Sequence, residues 1–311
     1  MTREIISNDR TGEKYTRIKH DSGLEILIWK TEGYSIKHAL FGTRYGSVNT
    51  TFKTRDDADF VTVPNGIAHY LEHKLFENED CGVFELYAKT GAFGNAYTSF
   101  DRTCYLFSCT ENFIPSLKIL LDFVQKPYFT EETVRKEQGI IGQEIRMIED
   151  NPDWQLYTRM MQALYSRHAA RTSIAGTVES ISHITAQTLY DCHKAFYTPS
   201  NMILTVVGNV DPVRISEIAQ AILPREGGPV IPRDYGEEPA EVAQKETRMA
   251  MEVATPQFLT GYKCAPAEEG EAYLRATVIG DMACDILLGN SSPLYLRLYD
   301  QGLINTSFGG A

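Results

Sequence analysis

The residues best equipped for chemistry are His69, Glu72 and His73, which stand together in the string HYLEH. On a helix turning about 100° per residue, His69 and His73 lie about 40° apart, and Glu72 falls within the same third of the circumference. One helical face then carries two nitrogen ligands and an acid. The order HxxEH inverts the common HExxH arrangement of zinc peptidases, and this inverted spelling signals metal-assisted peptide hydrolysis. A match of this kind arises by chance on the order of once in a hundred chains, so two surface histidines on an amphipathic helix are the plain alternative. A third ligand decides between the two.

A catalytic zinc site takes three protein ligands and leaves the fourth position to water. Glu137 and Glu144 are seven residues apart in a helical segment from Glu131 to Asp150, about 20° from a common face. Glu149 lies roughly 140° round from Glu144 and reads as solvated. One of the aligned acids is expected to bind metal while the other steadies a ligand, and helical geometry alone leaves the choice open. Glu72 is the expected general base, taking a proton from a zinc-activated water and returning it to the leaving amine. No cysteine lies beside either histidine, which argues against a closed structural site.

These residues need elements to hold them. The metal helix is expected to start near Asn65 as its N-cap and to run to about Phe76. Alternating segments before it, YTRIKH, LEILIWK and SIKHALFG, read as antiparallel strands. AFGNAYT and TCYLFSC after it read as a hairpin. From Asn112 to His193 the period becomes helical, in FIPSLKILLDFVQ, TEETVRKEQGIIGQEIRMIED, WQLYTRMMQALYS and ISHITAQTLYDCHKAF. NMILTVVGNV then reads as a buried strand and PVRISEIAQAIL as a helix. The expected fold is α+β: a metal-binding αβ domain over 1–223, a proline- and glycine-rich linker over 224–245, and the start of a second αβ domain over 246–311. That second domain is expected to open with strands TRMAMEVAT and FLTGYK, to continue in helices, and to be incomplete at Ala311.

The 311 residues, 43% of them hydrophobic, suffice for a substantial core. A net charge of -11 without a basic cluster argues against nucleic-acid and anionic-membrane surfaces. The charged N-terminus has no apolar signal region, and no apolar stretch is long enough to span a membrane. Six scattered cysteines without CxxC spacing suit reduced thiols, so a cytoplasmic protein is expected.

Beyond the motif, the chain resembles the zinc peptidases that include pitrilysin, insulin-degrading enzyme and the mitochondrial processing peptidase. GIAHYLEHKLF resembles their metal helix, KTGAFGNAYTSFDRTCYLF their strand pair, KEQGIIGQEIRMIEDNP their glutamate helix and FYTPSNMILTVVGNVD the strand closing their first domain. The similarity runs from about Asp21 to Asp211 and is weaker in SSPLYLRLYDQGLI. It implies Zn2+ held by His69, His73 and Glu144, Glu72 as base, and Glu137 as supporting acid. It also implies that Asn95 and Ala96 lie on an edge strand that binds extended peptide substrate by β-augmentation.

One departure stands out. The family carries an arginine followed seven residues later by a tyrosine, whereas here Ile304 follows Arg297 at that spacing. Arg297 accordingly reads as an ordinary helix arginine. The resemblance implies a metalloendopeptidase acting with a homologous second half or partner subunit that supplies those groups. The alternative is a non-catalytic interaction subunit that keeps the peptidase fold.

Overall fold

The computed structural model describes residues 1–54, 57–265 and 268–310. They form two compact units, Met1–Gly261 and Tyr262–Ala311. The first opens with strands β1 (Thr2–Ser7), β2 (Lys14–Lys19), β3 (Glu25–Lys30) and β4 (Lys37–Thr43). Short strands β5 (Thr51–Phe52) and β6 (Val61–Thr62) pair with each other ahead of helix α1 (Ile67–Lys74). Helix α2 (Val83–Thr90) leads to the hairpin of β7 (Phe93–Thr98) and β8 (Thr103–Cys109). The helical run comprises α3 (Phe113–Gln125), α4 (Glu131–Glu149), α5 (Pro152–Leu164), α6 (Val178–Ser182) and α7 (Ala186–Phe196). Strand β9 (Met202–Gly208) and helix α8 (Pro212–Ile222) follow.

The main sheet runs β1-β2-β3-β9-β4-β8-β7, with β7 at one edge. Every pair in it is antiparallel except β3 with β9, so the closing strand enters the centre of the sheet rather than its rim. Burial alternates along β2, β3 and β9, as it must when one face of a strand is covered. Ile18, Ile26, Phe41, Tyr105 and Leu204 from the sheet join Leu117, Leu121, Leu189 and Phe196 from the helices in one core.

Several expectations need correction. Strand β1 was not expected, because it is a charged edge strand with almost no buried side chain to set up an alternation. Helix α2 also stands where the sequence reading has no element. ISHITAQTLYDCHKAF is not one helix: Thr185 starts α7 afresh, its hydroxyl accepting from the Thr188 backbone N–H while Thr188 reaches back. The cap of α1 is Gly66 rather than Asn65, at φ 90°, and the helix ends at Lys74 with further turn bonds to Leu75 and Phe76. Side chains other than glycine rarely adopt that φ, and a Cβ there would meet the Ala175 carbonyl oxygen at 2.4 Å.

Residues 224–245 lie against the rest of the first unit. Arg233 bridges to Phe52 and sits 5.4 Å over the Phe196 ring. Tyr235 Oη accepts from Asn49 Nδ2 at 3.0 Å. The stretches TRMAMEVAT and FLTGYK are not in strands among the described residues, and they are largely exposed. The second unit holds α9 (Glu271–Leu288) and α10 (Pro293–Asp300). Arg297 lies on α10 and is exposed. Among the described residues no helix is long and apolar enough to cross a membrane.

Candidate active site

Helices α1 and α4 bring the motif and the glutamates together. The close approach of Gly66 to Ala175 fixes the start of α1, and Tyr70 Oη donates to the Val134 carbonyl of α4. Lys74, fully buried, is paired with Glu77 just beyond the helix. On α4, Val134, Ile141 and Ile145 are buried, which turns Glu137 and Glu144 toward α1. Both acids sit on the inner face, as their seven-residue spacing requires.

The ring centroids of His69 and His73 are 4.6 Å apart. Glu144 spans them, with one carboxylate oxygen 3.5 Å from His69 Nε2 and the other 3.5 Å from His73 Nε2. One donor atom from each residue can be chosen so that all three lie within 4.8 Å of one another. Bonds of about 2.0–2.2 Å in a tetrahedron put neighbouring ligand atoms about 3.3–3.5 Å apart, so the donor set fits a zinc ion. Its chemistry fits too: two imidazoles and a carboxylate, three protein ligands among the described residues.

Glu137 is placed differently from Glu144. It is buried and its carboxylate accepts from His73 Nδ1 at 2.9 Å. That bond fixes the ring and leaves Nε2 facing Glu144, so Glu137 stands behind the histidine rather than beside the donor cluster. Glu72 is 9% exposed and accepts from Thr98 Oγ1 of β7 at 2.6 Å through Oε2, which leaves its other oxygen for substrate or water. His69 Nδ1 is buried and has no hydrogen-bond partner among the described residues.

The electrostatics follow from this crowding. Burial disfavours charge on His73, but the Glu137 hydrogen bond and the charges of Glu72, Glu144 and Glu137 outweigh it, and the imidazole pKa is raised. The Glu144 carboxyl is lowered, chiefly by its hydrogen bond to His69 and against the opposing effect of burial. The cluster therefore favours positive charge among its acids.

These groups open into a cleft of about 340 Å³. Ala96, Tyr97 and Thr98 of edge strand β7 line one side, and Asn95 is exposed outside the lining. Ala96 and Asn95 pair with Tyr105 and Leu106 of β8. The opposite wall was not foreseen. Trp154, Tyr157, Thr158 and Met161 of α5 line it, together with the segment Ala170–Ala175. Their spacing on α5 follows one helical face, a signal present in WQLYTRMMQALYS. Thr98 was also missed, although the string NAYT points at it.

A family profile described as insulinase (peptidase family M16) matches residues 62–178, and one described as the peptidase M16 inactive domain matches residues 183–311. YmfH of Bacillus subtilis, an uncharacterized zinc protease, is 46% identical over 294 residues, which cover 93% of this chain and 69% of YmfH. A second uncharacterized zinc protease of that organism, YmxG, is 29% identical over 159 residues, covering 50% of this chain and 39% of YmxG. A crystal structure of a candidate M16-like peptidase from Alicyclobacillus acidocaldarius superposes with a TM-score of 0.89 at 35% identity, covering 99% of this chain and 73% of that one. A Helicobacter pylori protease at 21% identity and a TM-score of 0.74 shares the fold, covering 96% of this chain and 75% of its own. With two M16 profiles matched, a relative 46% identical over most of its length and an HxxEH helix set against a glutamate helix, this chain belongs to the insulinase family of peptidases, M16.

Proposed function

We propose that this chain is a zinc metalloendopeptidase subunit that hydrolyses extended peptides. The observation that carries the reading is Glu144, held 3.5 Å from the Nε2 atoms of both His69 and His73 while Glu72, with Oε2 bonded to Thr98, lines the same cleft. His69, His73 and Glu144 would hold the ion, and Glu137 would orient His73 through its Nδ1. Bound there, zinc would supply Lewis acidity and bring the pKa of water down to about 7.

The protein's own groups do the rest. Glu72 accepts the proton of the attacking water on the oxygen not held by Thr98 and passes it to the departing amine. Thr98 keeps the carboxylate aimed by holding its other oxygen. Strand β7, an edge of the sheet, offers backbone to an extended peptide at Ala96, and Asn95 stands at the start of that docking track. A homologous half or partner subunit would close over the cleft and supply the arginine and tyrosine pair absent around Arg297. The domain division 1–223, 224–245 and 246–311, and a cytoplasmic location, belong to the same proposal.

Zinc content and cleavage of an unfolded peptide by the assembled enzyme test it together. Glu72→Gln should lose about 10²- to 10⁴-fold in turnover with zinc still near one per chain. Zinc far below one per wild-type chain, or undiminished cleavage by the variant, would sink the reading. Peptide binding without any wild-type cleavage would point to the non-catalytic subunit instead.

A further inference from the structure

Glu238 lies far in sequence from the histidines and glutamates of the cleft, yet its carboxylate is held by three successive backbone N–H groups. Ser166 donates to Oε1 at 2.8 Å, and Arg167 and His168 donate to Oε2 at 2.7 Å each. Consecutive N–H groups pointing into one concavity make an anion cradle, and bonds to a charged acceptor are the strong kind. Tyr235, three residues upstream, stacks its ring on His168 at 6.2 Å and anchors its hydroxyl on Asn49.

The wall of the cleft begins two residues beyond this cradle. His168 Nδ1 accepts from Ala170 N at 3.2 Å, and turn bonds from Arg171 N to His168 O and from Thr172 N to Ala169 O carry the chain into the lining segment Ala170–Ala175. The far end of that segment is set by the contact of Ala175 with Gly66, the N-cap of α1. A wall fixed at only one end would leave Arg171 and Thr172 free to shift against the substrate.

We propose that Glu238 is a positioning residue for substrate binding: its carboxylate fixes the second end of the Ala170–Ala175 wall, so the segment after α8 sets the shape of the cleft. The proposal rests on the peptidase reading for its substrate and on geometry alone for its effect on the wall. Removing the carboxylate leaves three N–H donors without their acceptor and loosens the wall, while the metal ligands on α1 and α4 stay in place.

The test uses the zinc-loaded, assembled enzyme. Glu238→Ala should raise KM for a peptide about tenfold with kcat and zinc content unchanged. Amide hydrogen exchange over residues 166–175 should quicken by a similar factor. Added acetate, filling the cradle, should restore both in part. Glu238→Gln, which turns an NH₂ toward one of the three donors, should fall between the two and serves if the alanine variant folds poorly. Unchanged exchange with unchanged KM overturns the proposal, as does a loss of thermal stability with no rise in KM. A wild type that cleaves nothing bears on the peptidase reading, whereas the exchange measurement still tests the cradle.

Discussion

His73 is half-buried and His193 buried, yet their surroundings drive them in opposite directions. His73 faces the acids Glu72, Glu137 and Glu144, which raise its pKa despite burial. His193, on α7, packs its ring flat on Tyr197 at 4.7 Å and bonds Val124 O through Nε2 at 2.9 Å. Burial there pushes its pKa down to about 4, and the single carbonyl only partly opposes that. A histidine among carboxylates can hold a cation, whereas a histidine among rings and one carbonyl is a neutral packing element. Neighbours, more than burial, separate the two roles.

The largest expected effect follows from exchanging the same side chain in the two regions. His73→Gln should take zinc content from about one per chain to near zero, because an imidazole ligand is lost from a three-ligand set. His193→Gln should leave it at about one. Atomic absorption on both purified variants reads the outcome, and equal zinc in the two would erase the distinction between the regions.

The next effect is one of pH. The folded chain keeps His193 neutral down to about pH 4, while the unfolded chain takes up its proton near 6.5. The unfolded state therefore binds more protons throughout that window, and stability falls as pH drops through it. The full span is worth about 3 kcal/mol. Urea unfolding of zinc-free protein at pH 7.5 and 4.5 should show most of that loss in the wild type and much less in His193→Gln. The raised His73 works with the opposite sign, adding stability below its unfolded value that fades as pH rises through its folded one. Identical pH slopes in wild type and His193→Gln would place the acid sensitivity elsewhere.

The two regions also differ in how far they were legible. HYLEH is local, and 3.6-residue geometry is enough to put His69, Glu72 and His73 on one face. The strands β2, β3 and β4 show through alternation, because one face of each is covered. The parallel pairing of β9 with β3 does not show, since nothing local in NMILTVVGNV names its neighbour. Nor does the far wall of the cleft, which joins α5 to a segment whose place is set by Gly66 and by residues beyond 230. His193 looks no different from His73 in HKAF, because the neighbours that distinguish them come from α3 and α4. Long-range contacts decide both roles.

Glu137 carries the finest distinction, because it lies seven residues from Glu144 on the same face yet touches a different nitrogen. If it only orients His73 through Nδ1, Glu137→Gln keeps an acceptor for that bond and loses only its charge. Zinc affinity should then drop about 10- to 100-fold, as for groups behind a metal ligand, with stoichiometry still near one at saturating metal. Glu144→Gln should lower the stoichiometry itself. Competition with a chelator of known affinity separates the two outcomes. If Glu137→Gln abolished binding while Glu144→Gln merely weakened it, the roles of the two acids would be reversed, and the 3.5 Å contacts of Glu144 would have to be read as ion pairs with the histidines instead of as a ligand's reach.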